Sequence, residues 1–190
     1  MTYPTLNYRT ARPRIESGDL LLFGGRTLWP SLPIRFWDNG YRWYQWRGWC
    51  TLGDWSHAEI AHWDHEDNDP VLEGWGSVGG GPRKAALSGL LATYGSFGWA
   101  PFLGNEQERR LVLAMARRLW RPGARYPNFR QYIRTACRRL YAEKVDCDPL
   151  GYTCWEWVAA CHSIRYPAAQ YASDLIRSGL FGPLARVTLP

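Results

Sequence analysis

The chain has 190 residues, enough for one domain whose core needs no disulfide or metal staple. Hydrophobic residues make up 46% and charged residues 21%, which excludes a disordered or low-complexity chain. A formal net charge of +6 favours acidic partners, such as an anionic wall polymer or an anionic lipid surface, although plain solubility needs no more than this.

Residues 1–17 form an arm that ends in a turn at Ser17-Gly18-Asp19, and Leu20–Phe23 is a short apolar run with the pattern of a buried strand. The polar start, with Arg9, Arg12 and Arg14, lacks the apolar stretch of a secretory signal. No apolar run reaches the roughly eighteen residues that a membrane helix needs. The expectation is a chain made and folded in a reducing cytoplasm, with phage-borne or injected delivery as another route.

Residues 26–55 hold Trp29, Trp37, Trp43, Trp46, Trp49 and Trp55, and Pro30, Pro33, Gly40 and Gly48 break any long helix there. This stretch reads as an aromatic insertion in a single domain spanning 1–190. Residues 56–63 alternate, with His57, Glu59, Ala61 and Trp63 on one face, and so predict a strand. A second strand over 71–75 follows an acidic turn, and the two make a hairpin. Residues 76–82 read as a Gly-rich turn, and 83–103 as one more strand or a short helix with loops.

Asn105 opens a helix with Glu106 and Glu108 in its first turn, and Pro122-Gly123 stops it. A second Arg-rich helix is predicted over 129–142. Its arginines, like the others between Arg109 and Arg139, alternate with apolar residues at helical spacing. They read as a solvated face rather than a specific nucleic-acid site. Thr153 and Glu156 have capping-box spacing and open a third helix that runs to about His162. A short helix over 173–178 with Gly179 behind it, and a tail over 180–189 able to pair as an edge strand, close the chain.

Five cysteines, Cys50, Cys137, Cys147, Cys154 and Cys161, show neither a disulfide framework nor CxxC metal spacing. Cys154 has the position that suits chemistry. In the first turn of a capped helix, free N–H groups and the positive dipole end favour a thiolate and can hold an oxyanion. His57, on a strand, projects a ring rigidly enough to serve as its base. Glu73 on the next strand is the preferred carboxylate to orient His57, and Glu59 is its rival, since i,i+2 side chains on one strand run parallel. A zinc site built on His57, His62, His65 and Asp64 is disfavoured, because His57 and His62 point to opposite faces. His162, at the far end of the Cys154 helix, reads as a cap on its last carbonyls.

These segments together resemble the circularly permuted branch of the NlpC-type papain-like hydrolases, which includes YiiX-like proteins and lecithin retinol acyltransferase-like enzymes. Ser17-Gly18-Asp19-Leu20-Leu21-Leu22-Phe23 looks like the opening Gly-Asp strand, and Ser56-His57-Ala58-Glu59-Ile60 like the Ser-His strand. Val71 to Val78 looks like the strand with the third polar residue. Tyr152-Thr153-Cys154-Trp155-Glu156-Trp157-Val158 looks like the Tyr-x-Cys-x-Glu-x-Val helix start, and Pro167 with Ser173-Asp174-Leu175 like the closing segment. Trp155 stands where the family has a small residue, and the Trp-rich stretch is longer than the family's.

The resemblance implies an α+β permuted papain-like fold, a small antiparallel sheet packed against helices. It implies Cys154 as nucleophile, His57 as base and Glu73 as orienter, with no cofactor or metal. Tyr152 is expected as a second oxyanion donor and Trp155 as a substrate contact. The expected activity is cysteine hydrolysis of a peptide amide, with bacterial cell wall the favoured source. The alternatives are acyl chemistry on lipid at a membrane surface, and an inactive relative serving as a binding or virion structural module.

Overall fold

The computed structural model describes residues 3–24, 55–65, 70–78, 81–120, 152–164 and 172–189. The fold is α+β, with a seven-stranded mixed sheet and, among the described residues, five α-helices. In chain order the elements are β1 (Thr5–Asn7), α1 (Tyr8–Ala11), a 3-10 turn (Arg12–Arg14), β2 (Leu20–Phe23), β3 (His57–Asp64), β4 (Val71–Val78) and β5 (Gly81–Ala86). Then follow α2 (Leu87–Tyr94), β6 (Ser96–Ala100), α3 (Glu106–Leu119), α4 (Cys154–Cys161), α5 (Ala172–Arg177) and β7 (Ala185–Thr188).

The strand order is β1-β7-β6-β2-β3-β4-β5, and every pairing is antiparallel except β1 with β7. The expected small antiparallel sheet is therefore larger and mixed. The predicted edge strand at the C-terminus is an inner strand instead. The N-terminal arm supplies β1, which pairs with β7 and takes the edge. The predicted Gly-rich turn is also shorter, since β4 continues through Val78 and β5 starts at Gly81. The aromatic insertion other than Trp55, the Arg-rich helix over 129–142 and Pro167 lie outside the described residues.

β2 has no polar face because the sheet is covered on both sides. Leu20 and Leu22 join one core with Val112 and Ala116 of α3, most of α4, and Leu175 of α5. Leu21 and Phe23 join the other core with Ala11 of α1 and Leu87, Leu90 and Leu91 of α2. α4 lies within the first of these cores, which explains why Cys154-Trp155-Glu156-Trp157-Val158-Ala159 is buried residue after residue.

One buried carboxylate ties these layers together. Asp19, fully buried, accepts from the backbone N–H of Glu16 and Phe102, the indole of Trp99 and the guanidinium of Arg109, all at 2.8–2.9 Å. Each oxygen receives two donors, so the cost of burying the charge is met by charge-assisted hydrogen bonds. The turn before it needs Gly18, whose φ is +94°. The Gly18 carbonyl in turn meets Nε2 of His162 at 2.9 Å, and this joins the start of β2 to the end of α4.

Candidate active site

Cys154 is the first residue of α4, and the sequence fixes that position locally. Thr153 is extended (φ −65°, ψ 166°), and its hydroxyl accepts from the Glu156 N–H at 3.3 Å. The Glu156 carboxylate reaches back to the Thr153 N–H at 2.7 Å. This capping box occupies two of the four N–H groups that a helix start leaves over. Those of Cys154 and Trp155 have no acceptor inside the helix, so they are the donors an oxyanion can meet. The hydroxyl of Ser77 on β4 donates to the Tyr152 carbonyl at 2.9 Å and seats the segment against the sheet.

His57 opens β3, with its side chain 12% exposed. Its Nε2 lies 2.9 Å from Oε1 of Glu59. Glu59 is fully buried, and the same oxygen accepts from Nη2 of Arg83 at 2.6 Å. Sheet register explains how these groups meet. Glu59, Gly76 and Arg83 form one lateral row across β3, β4 and β5. A glycine in the middle leaves the two charged side chains free to touch over it. A Cβ on Gly76 would stand 2.6 Å from Cγ of Glu59, and one on Gly74 would collide with Oε2 of Glu59. β4 thus provides a slot, two glycines long, in which the Glu59 carboxyl lies.

The electrostatics follow. Burial pushes the His57 imidazole down, but the adjacent Cys154 sulfur, by charge and hydrogen bond, and then Glu59 outweigh it and raise the pKa to about 10. Burial opposes ionisation of Glu59, yet the hydrogen bonds and charges of His57 and Arg83 hold its pKa below the usual carboxylate value. Arg83 is itself held by Glu59 and Tyr94. Thiol, imidazole, carboxylate and guanidinium form one connected chain of groups, reaching from α4 across three strands.

Several expectations change. Glu73 does not face His57. The β3–β4 register sets it opposite His62, with Oε2 3.8 Å from Nδ1 of that ring, and the same oxygen accepts the Trp75 indole at 2.7 Å. Glu59 takes the place beside His57. The Trp155 indole is buried in the core, 1% exposed, so only its backbone N–H is presented at the helix start. Tyr152 is half-buried against the same core. His162 caps α4 as expected, Nδ1 lying 2.9 Å from the Val158 carbonyl. Arg83 was missed altogether. A lone Arg in a stretch with no clear pattern gives no signal until strand register sets it beside Glu59.

Among the described residues no group of three or more His, Cys, Asp or Glu is placed to hold a metal ion. Likewise, no helix among them is long and apolar enough to cross a membrane. A scan against protein-family models found no match, and a search of curated proteins found none either.

Proposed function

We propose that this chain is a cysteine hydrolase of the permuted papain-like kind, with Cys154 as nucleophile, His57 as base and Glu59 as the residue that orients His57. The observation that carries the reading is the hydrogen-bonded row of His57, Glu59 and Arg83, with the charge of Cys154, first residue of a buried, capped helix, acting on His57. His57 takes the thiol proton, and the sulfur attacks the carbonyl carbon of an amide. The oxyanion is held by the N–H groups of Cys154 and Trp155. The C–N bond breaks as His57 gives its proton to the leaving amine, which leaves an acyl thioester on Cys154. Water, losing a proton to His57, adds to the acyl carbon. The C–S bond then breaks and the thiol is restored.

Glu59 fixes the ring orientation of His57 and stabilises its charged form, while Arg83 fixes Glu59. We further propose a peptide of an anionic wall polymer as substrate, a class that suits the net charge of +6.

The test is alkylation by iodoacetamide in the folded protein. Cys154 is expected to react at pH 6.5 at least ten-fold faster than the buried Cys161, and at least ten-fold slower in His57→Ala. With wall-peptide amides as substrates, Cys154→Ala is expected to abolish release of new amines. Equal labelling of Cys154 and Cys161, unchanged by His57→Ala, would overturn the reading.

A further inference from the structure

A second cluster lies outside the Cys154 group. On the α4 side of the sheet, His62, Trp75, Lys84, Arg117 and Trp120 line a pocket of about 280 Å³. The rings of Trp75 and Trp120 stand 5.8 Å apart at 65° and form two apolar walls. Lys84 holds its ammonium 4.5 Å from the Trp75 ring and 5.6 Å from the Trp120 ring. Neither Lys84 nor Arg117 is ion-paired with a carboxylate among the described residues.

The wall behind them is His62, stacked on Trp75 at 3.9 Å and only 6% exposed. Its Nδ1 has no hydrogen-bond partner among the described residues, although a buried ring nitrogen ordinarily finds one. Glu73 is the nearest carboxylate, but it is 3.8 Å off and committed to the Trp75 indole at 2.7 Å.

The geometry points to a ligand site in this pocket for a small anion, a carboxylate or a phosphate, carried on a flat ring. Two cations supply the charge, and the partly exposed Trp120 indole supplies the stacking surface, backed by the buried Trp75. His62, stacked on Trp75, lines the pocket behind them, so its ring protons report on occupancy. The size suits one ring with its acid group, at the small end of ligand cavities. Burial lowers the His62 pKa to about 4, with Arg117, Lys84 and His65 acting in the same direction and Asp64 against them. The site does not depend on Cys154 chemistry and goes beyond the hydrolase reading.

The full chain would be titrated with phenyl phosphate and with benzoate, followed by the ring-proton resonances of His62, assigned by their loss in His62→Gln. Benzyl alcohol and inorganic phosphate serve as controls. The expected result is saturable shifting of His62 by at least one of the two ring anions, with the tighter of them defining the acid. Benzyl alcohol and inorganic phosphate bind at least ten-fold more weakly. Lys84 and Arg117 are exposed, so Lys84→Met and Arg117→Gln preserve the fold, and each is expected to weaken the ring anion at least five-fold.

Unchanged alkylation of Cys154 in these variants checks that the rest of the molecule is intact. If neither ring anion moves His62, or both charge variants bind as the parent does, the site is wrong. If inorganic phosphate binds as tightly as phenyl phosphate and Trp120→Leu changes nothing, the ring specificity is wrong and the proposal falls.

Discussion

Glu59 is held by two donors on one oxygen, His57 at 2.9 Å and Arg83 at 2.6 Å, in a slot that a side chain at Gly74 or Gly76 would fill. A carboxylate so fixed can orient an imidazole, whereas one free to turn cannot. Glu59→Gln keeps the shape but removes the charge that favours imidazolium. It is expected to slow Cys154 alkylation at pH 6.5 by roughly ten-fold or more, the equivalent of about 1.4 kcal/mol per decade. Glu73→Gln is expected to change that rate less than two-fold. Equal effects from the two variants would contradict the assignment of Glu59. The choice between these carboxylates was hard to make from sequence, because parallel i,i+2 side chains on a regular strand do not normally meet. His57 nonetheless meets Glu59 from the first position of β3, Nε2 to Oε1 at 2.9 Å. The expectation for Glu73 failed on register. It pairs with His62, five positions along β3 from His57, or about 17 Å at strand rise. The legible clue was the pair Gly74 and Gly76, which open a gap in an otherwise bulky strand.

The alternation that predicts β3 and the Thr153–Glu156 spacing that predicts the start of α4 are local signals, and both elements sit within a residue or two of their expected bounds. The places of β1 and β7 depend on which distant strands find each other, which local pattern does not encode. The capped helix start and the glycine gap both yield tests at the level of elements. Thr153→Ala removes the acceptor for Glu156 N–H and is expected to cost about 1 kcal/mol in urea unfolding. The same variant loosens the turn that aims Cys154, so its alkylation at pH 6.5 is expected to fall as well. Gly76→Ala sets a methyl between Glu59 and Arg83, 2.6 Å from Cγ of Glu59. Overpacking of that kind costs about 1–3 kcal/mol. If the glycine gap aligns the charged row, Gly76→Ala lowers Cys154 alkylation in protein that remains folded by circular dichroism. An unchanged rate would mean that the row bends around a methyl.

On the scale of the molecule, the sheet and its two cores are clamped by buried polar groups that differ in their response to acid. Two buried histidines, His62 and His162, have their pKa values lowered chiefly by burial, His62 to about 4. His162 stands between the Phe102 and Phe181 rings, each 4.9 Å away, with a carbonyl oxygen 2.9 Å from each of its nitrogens. A histidine with a lowered pKa binds fewer protons folded than unfolded. Its contribution to stability is full above the unfolded value of about 6.5 and declines as pH falls toward the folded value. For His62 that window runs from 6.5 down to about 4. Between pH 7.5 and pH 5 the loss from this residue is about 2 kcal/mol, taking 1.36 kcal/mol per unit and the unfolded value of about 6.5. Urea unfolding of the parent and of His62→Gln at both pH values isolates the effect, because the other titrating groups are common to the two proteins. The parent is expected to lose about 2 kcal/mol more than the variant on acidification. Parallel losses would show that His62 is protonated in the folded state at pH 5, and that burial against Trp75 with two cations nearby does not keep it neutral.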